Sequence, residues 1–382
     1  MSLDSARVSV SSSGSVSSSG SERSVGTVAL ADDELFLQHV APPDHPERGQ
    51  RLLAVRAGLH QAEQAAQSRD AGPGAPATAR YVPVAATDAT DEQLARVHAP
   101  AYIEQLGQLA GRSGHLDADT YVSPGSVAAA RRAAGAAVTL VDTLLAGTAR
   151  SGIAVPRPPG HHALRDQAMG FCLLNNVAVA AAHARSHGRQ RILVLDWDVH
   201  HGNGTEAIFY DDPSVLFVSL HQYPNYPGTG AARDLGSGEG RGRNVNIPLP
   251  PGGDDSVYRA AFQRIVLPLV EQFAPDFALV SCGFDAHQRD PLAEMQLTGA
   301  GYAQMTRDLL ATLPGACPLG VVLEGGYDLQ ALTESTAAVA QVLLGDAGKA
   351  PDEPPPRGEL AADASAALAE VQSALAPYWR AG

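Results

Sequence analysis

The segment DWDVHHGNGT, residues 196–205, places two aspartates and two adjacent histidines directly after the apolar run RILVL. Alternate side chains of an extended chain share a face, so Asp196, Asp198 and His200 can point together, while Trp197 and Val199 point the other way. Two carboxylates and an imidazole on one buried face repel and desolvate one another unless a cation neutralises them. The pattern therefore predicts a site for a divalent metal ion.

Asp285, in the segment SCGFDAH, offers a further ligand just beyond another apolar run. Asp198, His200 and Asp285 would form a three-ligand set that leaves a coordination position open for water, as catalytic sites do. These ligand types favour zinc, although an oxygen-rich set also accepts ferrous iron or cobalt. An isolated Asp-x-His pair is more often a solvated turn, so the prediction depends on the segments that accompany it.

Two more segments supply groups for catalysis. His161 and His162 follow RPPG, whose prolines stiffen the chain, and a neutral imidazole suits removal of a proton from water. Asp196 could orient one ring and the amide of Asn203 the other, which would give the two histidines different protonation states. The hydroxyl of Tyr327 could donate to an oxyanion. Together these residues predict metal-assisted hydrolysis of an amide.

The segments that carry this chemistry share one placement, because each follows an apolar run that is typical of a buried strand. Strands are predicted at 151–157, 191–196, 214–220, 277–282 and 319–325. They are continuously apolar, as burial on both faces of a parallel sheet requires. Ligands of such sheets bind outside the carboxyl ends of the strands, so the five loops are expected to converge on one crevice.

Longer alanine- and leucine-rich stretches predict helices at 46–67, 125–147, 175–187, 255–272 and 299–313. The alternation of strands and helices predicts an α/β domain of three layers, with helices on both faces of the sheet, over residues 27–345. Residues 1–26, rich in serine and glycine, are interpreted as a disordered tail. Residues 346–382 are interpreted as a proline-rich linker and a C-terminal helix that either packs on the domain or remains free.

Composition narrows the functional class. The chain has 382 residues, and 41 acidic against 27 basic residues give a formal charge of −14, which argues against nucleic acid as a partner. Three cysteines, Cys172, Cys282 and Cys317, are too few for a disulfide framework and indicate a reducing compartment. The sequence shows neither an apolar run long enough to span a membrane nor a secretory signal. We expect a cytoplasmic protein, and an oligomer is compatible with the sequence.

Six segments resemble, in order, the signature segments of the histone deacetylase superfamily: RPPGHHA, GFC, DWDVHHGNGT, SLHQYPNYPGTG, SCGFDAH and LEGGYDL. The resemblance covers residues 28–345. HPERGQRL, DTYVSPGS and Asn203 are similar to the class II branch and its bacterial histone deacetylase-like amidohydrolase relatives, since the class I pattern has aspartate at that position. The resemblance implies the arginase-deacetylase fold, a mainly parallel sheet of about eight strands with helices on both faces.

The resemblance also implies ions and their ligands. Asp198, His200 and Asp285 would be the zinc ligands, in agreement with the argument from the residues. A structural potassium ion would lie beneath the zinc. Its ligands would come from Asp196, Asp198 and the main chain around His200, Ser219 and Leu220.

The catalytic roles follow in the same way. By resemblance, His162 would be the general base and then the general acid, and His161, paired with Asp196, would act electrostatically. Tyr327 would polarise the acyl carbonyl together with the metal.

The substrate channel is implied by three further positions. Phe171 and Tyr226 would form its walls around the methylenes of an acylated amine, and Gly170 would accept a hydrogen bond from the scissile N–H. Tyr226 stands where many relatives carry phenylalanine, which implies a more polar channel. Both aromatic residues could instead be ordinary core residues. Arg51 could line an inner product cavity or lie on the surface of a helix.

Two substrate classes remain open. One is an acyl-lysine side chain in a peptide or protein, with acetate as the expected acid, and the other is a small acetylated polyamine. Leu292 lies near the position where a polyamine enzyme of this family tends to have a carboxylate at the channel mouth. Glu294 is close enough in sequence to keep the second class open.

Alternatives from other classes are weaker. An arginase-like ureohydrolase would need a second metal and a further aspartate-rich motif, which is not apparent. A catalytically silent zinc-binding protein would be expected to lack Tyr327 or one of the paired histidines. A cysteine hydrolase built on Cys172 and His161 is conceivable, but a thiol in an apolar stretch is more often inert.

Overall fold

The computed structural model describes residues 27–70, 80–345 and 360–380. The predicted N-terminal tail and residues 346–359 of the predicted linker lie outside these residues. The described chain forms an α/β domain around one eight-stranded sheet, with a separate two-stranded ladder.

The strands of the described residues are, in chain order, β1 (Thr27–Asp32), β2 (Arg80–Ala85), β3 (Gly114–His115), β4 (Tyr121–Val122), β5 (Ser151–Ala154), β6 (Ile192–Asp196), β7 (Val215–Gln222), β8 (Asn244–Leu249), β9 (Phe277–Cys282) and β10 (Leu319–Leu323). The α-helices are α1 (Gln50–Asp70), α2 (Asp91–Ala95), α3 (Pro100–Gly107), α4 (Ser126–Leu145), α5 (Asn176–Ser186), α6 (Asn203–Phe209), α7 (Asp255–Ala261), α8 (Leu267–Phe273), α9 (Gly299–Thr312), α10 (Leu329–Leu343) and α11 (Ala362–Leu375).

All strands of the large sheet are parallel, in the order β2-β1-β5-β10-β9-β6-β7-β8. The five strands predicted from the sequence are the five central ones, β5, β10, β9, β6 and β7. Because parallel strands end at the same edge, the five polar loops that follow them meet at one side of the sheet. The predicted parallel arrangement is confirmed.

Helices cover both faces of the sheet. On one face, α4 packs against β1, β5 and β10, and α5 packs against β6 and β9. On the other face, Ile153 of β5 and Val321 of β10 border a small apolar cavity with Val55 of α1 and Val339 of α10. The central strands are therefore shielded from water on both sides, which accounts for their continuously apolar sequences.

The helix predicted at 255–272 is interrupted in the structure. A π-helical turn, Phe262–Val266, separates α7 from α8, and the Leu267 N–H donates to the carbonyl of Phe262. The next residue, Pro268, has no N–H with which to continue the regular pattern. The apolar periodicity continues through the turn, so the sequence pattern did not reveal the interruption.

The outer elements of the fold were not predicted. They include β1, β2 and β8 in the sheet, and α10 on one face. The β2 segment RYVPVA contains Pro83, and the β8 segment NVNIPL contains two asparagines and Pro248, residues that weaken a strand signal. The predicted strand at 151–157 is also too long, because β5 ends at Ala154 and the chain then turns toward the proline-rich loop.

The C-terminal helix packs on the domain, which resolves the alternative left by the sequence. The buried side chains of α11 include Leu368 and Val371, and the helix lies against β8 and the π-helical turn. Beyond it, the Trp379 indole N–H donates to the carbonyl of Gly242 at 2.7 Å. Within the described residues, none of the helices combines the length and the hydropathy needed to cross a bilayer.

Truncation of Leu368 tests whether α11 is docked. Because this side chain is fully buried, Leu368→Ala should lower the free energy of unfolding by about 2–5 kcal/mol, measured by denaturant unfolding. The exposed Ser373 on the same helix provides the control, and Ser373→Ala should change stability by no more than about 0.5 kcal/mol. Equal stabilities of the two variants would contradict the docked position.

Candidate functional site

The three predicted metal ligands lie together at the edge of the sheet. Asp198 and His200 follow β6, and Asp285 follows the adjacent strand β9. The Nδ1 atom of His200 lies 3.2 Å from Asp198 Oδ1 and 3.1 Å from Asp285 Oδ2. One possible ligand atom from each residue lies within 4.8 Å of the other two, and all three side chains are buried. The described chain therefore has a group that could hold a metal ion where the sequence predicted it.

The charges of this group favour a divalent cation. Burial and the neighbouring charge of Asp198 raise the pKa of Asp285 to about 7. Burial alone would lower the pKa of His200, but hydrogen bonds and charge from Asp198 and Asp285 outweigh it and raise this pKa to about 10. Both shifts indicate surplus negative charge in a buried site. Two carboxylates and an imidazole that need a positive partner fit a divalent cation.

Gly325 makes room for the two carboxylates. Its N–H donates to Asp198 Oδ2 at 2.7 Å. A Cβ at this position would lie 2.2 Å from Asp285 Oδ2 and 2.5 Å from Asp198 Oδ2, which is closer than any carbon can approach. The loop after β10 therefore closes over the cluster only because residue 325 has no side chain.

The two predicted catalytic histidines have the partners that the sequence suggested. His161 Nδ1 donates to Asp196 Oδ2 at 3.0 Å, and His162 Nδ1 donates to the amide oxygen of Asn203 at 2.7 Å. Burial would lower the pKa of His161, but the charges of Asp196 and Asp198 raise it well above its ordinary value. Burial and the neighbouring rings of His161 and His200 lower the pKa of His162 well below its ordinary value.

The carboxylates beside His161 favour its cationic form, whereas burial and the neighbouring rings favour the neutral form of His162. An amide oxygen can only accept, so the proton of neutral His162 is on Nδ1 and its Nε2 keeps a free lone pair. That state is the one required of a proton acceptor.

The histidine loop is held by a buried glutamate that the sequence analysis did not single out. The carboxylate of Glu324, at the end of β10, accepts the N–H groups of Gly160 at 2.7 Å and His161 at 3.1 Å. Glu324 lies in the segment LEGGYDL, so the available signal was its place between a strand and two glycines. The contact joins the loops after β5 and β10.

Tyr327 also lines the pocket and belongs to the loop after β10. The guanidinium carbon of Arg51 lies 4.9 Å from the centre of its ring, and Arg51 Nε donates to the carbonyl of Gly326 at 2.6 Å. Arg51 is 1% exposed. Of the two alternatives for this arginine, the surface position is therefore wrong, and the side chain lies beneath the tyrosine loop.

A pocket of about 600 Å³, including its open mouth, leads to this cluster. The ring centre of Phe171 lies 5.9 Å from that of Tyr327, and the ring centre of Tyr226 lies 5.2 Å from that of His162. The pocket is lined by Asp119, His162, Gly170, Phe171, His200, Asn225, Tyr226, Leu292 and Tyr327. All four predicted substrate-binding residues are in this set.

Two lining residues, Asp119 and Asn225, were not predicted. Both belong to segments that the resemblance used, DTYVSPGS and SLHQYPNYPGTG, but neither follows a strand directly. Of the five predicted potassium-binding positions, Asp198 and His200 belong to the possible metal group described above, and Asp196, Ser219 and Leu220 do not line the pocket. Asp196 in β6 is paired with Ser219 in β7, and Leu220 follows; all three are buried.

Two other groups are weaker candidates for chemistry. Cys172 is fully buried, which raises the pKa of its thiol well above the ordinary value, and its Sγ donates to the carbonyl of Gly170. The cysteine hydrolase alternative is therefore disfavoured. A second potential metal group consists of Asp142 on α4, His183 on α5 and His187 directly after α5. Arg96 lies 2.9 Å from His183 Nδ1, so the protein itself supplies a positive partner there.

The arrangement of the site agrees with a comparison to protein families. The model described as the histone deacetylase domain matches residues 45–343. The chain belongs to the histone deacetylase family. This family is hydrolytic on amide bonds, and the matched domain contains every predicted site residue.

Named relatives and a solved structure support the membership. The chain is 47% identical over 275 residues to the histone deacetylase-like amidohydrolase of Pseudomonas aeruginosa, covering 70% of this chain and 72% of that one. It is 42% identical over 319 residues to the polyamine deacetylase HDAC10 of Homo sapiens, covering 79% of this chain but spanning only 46% of the relative. The crystal structure of the HDA15 HD domain matches with a TM-score of 0.81 and 38% identity, covering 93% of this chain and 96% of that chain. The predicted arginase-deacetylase fold is confirmed.

Metal affinity should depend on pH because protons and the cation compete for the same atoms. When no cation is present, His200 holds a proton at neutral pH and Asp285 is about half protonated, since the pKa of His200 is raised to about 10 and that of Asp285 to about 7. Affinity for Zn²⁺ should therefore increase from about pH 5 to about pH 8, measured by competition with a chromophoric chelator.

Asp285→Asn should weaken the affinity by about 100-fold or more, since loss even of outer partners costs 10- to 100-fold. Asp276→Asn is the control, because this carboxylate binds the N–H groups of Gln190 and Arg191 at the opposite end of the sheet. An affinity that stays constant over this pH range would contradict the assignment of the ligands.

Proposed function

We propose that the protein is a zinc-dependent deacetylase that removes acetyl groups from lysine side chains of peptides or proteins. The observation that carries the proposal is the meeting of the Asp198, His200 and Asp285 group with His162 and Tyr327 in one pocket. A ligand set, a proton acceptor and a hydrogen-bond donor around one reacting position are the parts that amide hydrolysis requires.

Asp198, His200 and Asp285 would hold the cation. Zinc is the first choice for this set, and ferrous iron or cobalt are alternatives. When bound, a cation there would lower the pKa of a water molecule and polarise the substrate carbonyl.

His162 is proposed as the base that takes a proton from the attacking water. As the C–O bond forms, the Nε2 lone pair accepts this proton, and the same ring then donates it to the nitrogen as the C–N bond breaks. This transfer gives a carboxylic acid and an amine. The acid then loses its proton to the more basic amine, so the products are a carboxylate and an ammonium ion, and atoms and charge balance. His161 contributes as a fixed positive charge beside Asp196, and Asn203 holds the reacting ring without changing its charge.

Tyr327 is proposed as the donor to the carbonyl oxygen. Burial raises the pKa of its phenol well above the ordinary value, so the hydroxyl remains protonated at neutral pH and can donate. A donor that strengthens its bond as negative charge develops on the oxygen lowers the barrier rather than only binding the substrate.

The aromatic and apolar residues that line the pocket favour an acylated amine with a methylene chain. Phe171 and Tyr226 would flank its methylenes, with Leu292 at the mouth, and the carbonyl of Gly170 would accept the scissile N–H. Both Gly170 and Phe171 have positive φ angles, of 56° and 68°. The Phe171 N–H donates to Thr120 Oγ1 at 3.1 Å, which keeps this strained segment in place.

A structural potassium ion is a further part of the proposal. Its ligands would be Asp196, Asp198 and main-chain oxygens around His200, Ser219 and Leu220. The burial of both carboxylates supports a second cation beside the first, because the negative charge of Asp196 lies at the end of β6, next to the main chain of Ser219 in β7.

The mouth of the pocket favours acyl-lysine over acetylpolyamine as the substrate. Leu292, an apolar residue, lines the pocket near the position where a polyamine enzyme of this family tends to have a carboxylate. Glu294 is exposed, and its Oε2 accepts a hydrogen bond from Gln222 at 3.3 Å. The second candidate function, an acetylpolyamine amidohydrolase, is supported by the carboxylate of Asp119 in the pocket and by the relative named polyamine deacetylase.

Turnover of matched substrates tests the proposal. With zinc content measured, kcat/KM should be higher for an acetyl-lysine peptide than for acetylspermidine or a longer acyl-lysine peptide. Leu292→Glu should shift the ratio toward acetylspermidine by adding an attractive charge, and Leu292→Gln, of similar size, should not. A preference of the unaltered protein for acetylspermidine would support the second function, and no turnover of any of these amides by the zinc-loaded protein would refute both.

Tyr327→Phe tests the oxyanion donor. The variant should lose roughly 10²-fold or more in kcat, as expected for removal of one such donor, while its zinc content stays equal to that of the unaltered protein. Tyr81→Phe, on the edge strand β2, is the control for loss of a phenol and should retain full activity. Unchanged turnover of Tyr327→Phe would refute the role of this hydroxyl.

A further inference from the structure

Asp290 is a buried carboxylate for which the proposed mechanism has no use. It lies in the loop between β9 and α9 that also carries Asp285, and it is 6% exposed. It does not line the pocket. Its Oδ2 accepts the N–H of Tyr327 at 2.6 Å and that of Asp328 at 3.3 Å, and its Oδ1 accepts the N–H of Leu292 at 3.0 Å. One side chain therefore joins two lining residues on different loops.

The loop that carries Tyr327 needs such a contact. Two glycines precede the tyrosine, and Gly326 has a φ of 119°. Because glycine has no Cβ, steric contacts within the chain restrict this part of the loop only weakly. Earlier atoms of this loop are held by other groups. The Gly325 N–H is bound by Asp198, the Gly325 carbonyl by the Phe284 N–H at 3.0 Å, and the Gly326 carbonyl by Arg51. The main-chain N–H of Tyr327 itself is bound by Asp290.

On the other side, Asp290 orients the pocket wall. Its Oδ1 closes a tight turn onto the N–H of Leu292, and its own N–H donates to the carbonyl of His287 at 2.8 Å. The same loop also carries Asp285, a proposed metal ligand. A change at Asp290 therefore reaches both the wall at the mouth and the tyrosine, without direct contact between Asp290 and a bound substrate.

We propose that Asp290 is a positioning residue that fixes the phenol of Tyr327 and the wall at Leu292 relative to each other. Its kinetic effect rests on the proposed deacetylase function. The tie between the two loops, by which we mean the hydrogen bonds of Asp290 to Tyr327, Asp328 and Leu292, is a property of the fold and can be measured separately.

Asp290→Asn is the most informative variant, because it preserves shape but replaces one acceptor oxygen with an NH2 donor. The new NH2 group would then face either the N–H groups of Tyr327 and Asp328 or the N–H of Leu292, and two donors cannot form a hydrogen bond with each other. We expect kcat for the acetyl-lysine peptide to fall by about 10- to 100-fold, since a displacement of about 1 Å can cost this much. KM and zinc content should change little.

The comparison with Tyr327→Phe separates positioning from general damage. If Asp290 acts through the phenol, Asp290→Asn should cause little further loss of kcat in a protein that already carries Tyr327→Phe. A full 10- to 100-fold loss in that background as well would overturn the proposal. Asp276→Asn is again the matched control, because it removes an aspartate that binds main-chain N–H groups away from the site.

Hydrogen exchange measures the tie itself, whether or not the protein is a deacetylase. In Asp290→Asn, peptides that cover 325–329 and 290–293 should exchange faster, while the segment 196–203 should not change. Unchanged exchange in the first two segments would overturn the proposal even if the enzyme is active. If Asp290→Asn fails to fold, Asp290→Glu, which keeps the charge but moves it by one methylene, is subjected to the same two measurements.

Discussion

The structure depends on negative charge buried at the carboxyl ends of parallel strands. Asp196, Asp198, Asp285 and Glu324 are all fully buried, although removal of a carboxylate from water costs several kcal/mol unless a positive partner or hydrogen-bond donors replace the solvent. The protein supplies the imidazole of His161 and main-chain N–H groups, but the raised pKa of Asp285 shows that the compensation is incomplete. The negative charge that remains uncompensated makes the site suitable for a cation.

The same carboxylates also connect the loops. Asp198, after β6, accepts the N–H of Gly325 after β10, and Asp285, after β9, accepts the N–H of Val199 after β6 at 2.8 Å. Glu324 extends the set to the loop after β5. Side chains that would bind the ion thus also align the loops that bear the catalytic groups, so binding and alignment depend on one another. The geometry is preorganised by main-chain contacts rather than by side-chain packing alone.

The sequence predicted the centre of this molecule better than its periphery, for a physical reason. Strands buried on both faces must be apolar throughout, and this requirement made β5, β6, β7, β9 and β10 visible. Edge strands such as β2 and β8 meet weaker demands and tolerate Pro83 and Pro248. In the site, the predicted metal ligands and catalytic residues come from the loops that follow the central strands. Asp119 and Asn225 were missed because they do not follow a strand directly. Glu324, although it follows β10, and Asp290 were missed because they bind main-chain N–H groups, which no spacing rule reveals. The roles of the site residues and the domain limits remain predictions.

The two outermost strands have a consequence for how the molecule behaves in a crowded solution. A parallel sheet exposes unpaired main-chain groups along both borders and could recruit another chain there. On one border, α11 and Trp379 lie over β8, and on the other Pro83 lacks the N–H that a ninth strand would need, while Glu63 binds the N–H of Tyr81 at 3.5 Å. Among the described residues, both borders of the sheet are thus disfavoured as sites for a further strand, which opposes edge-to-edge association between copies of this chain.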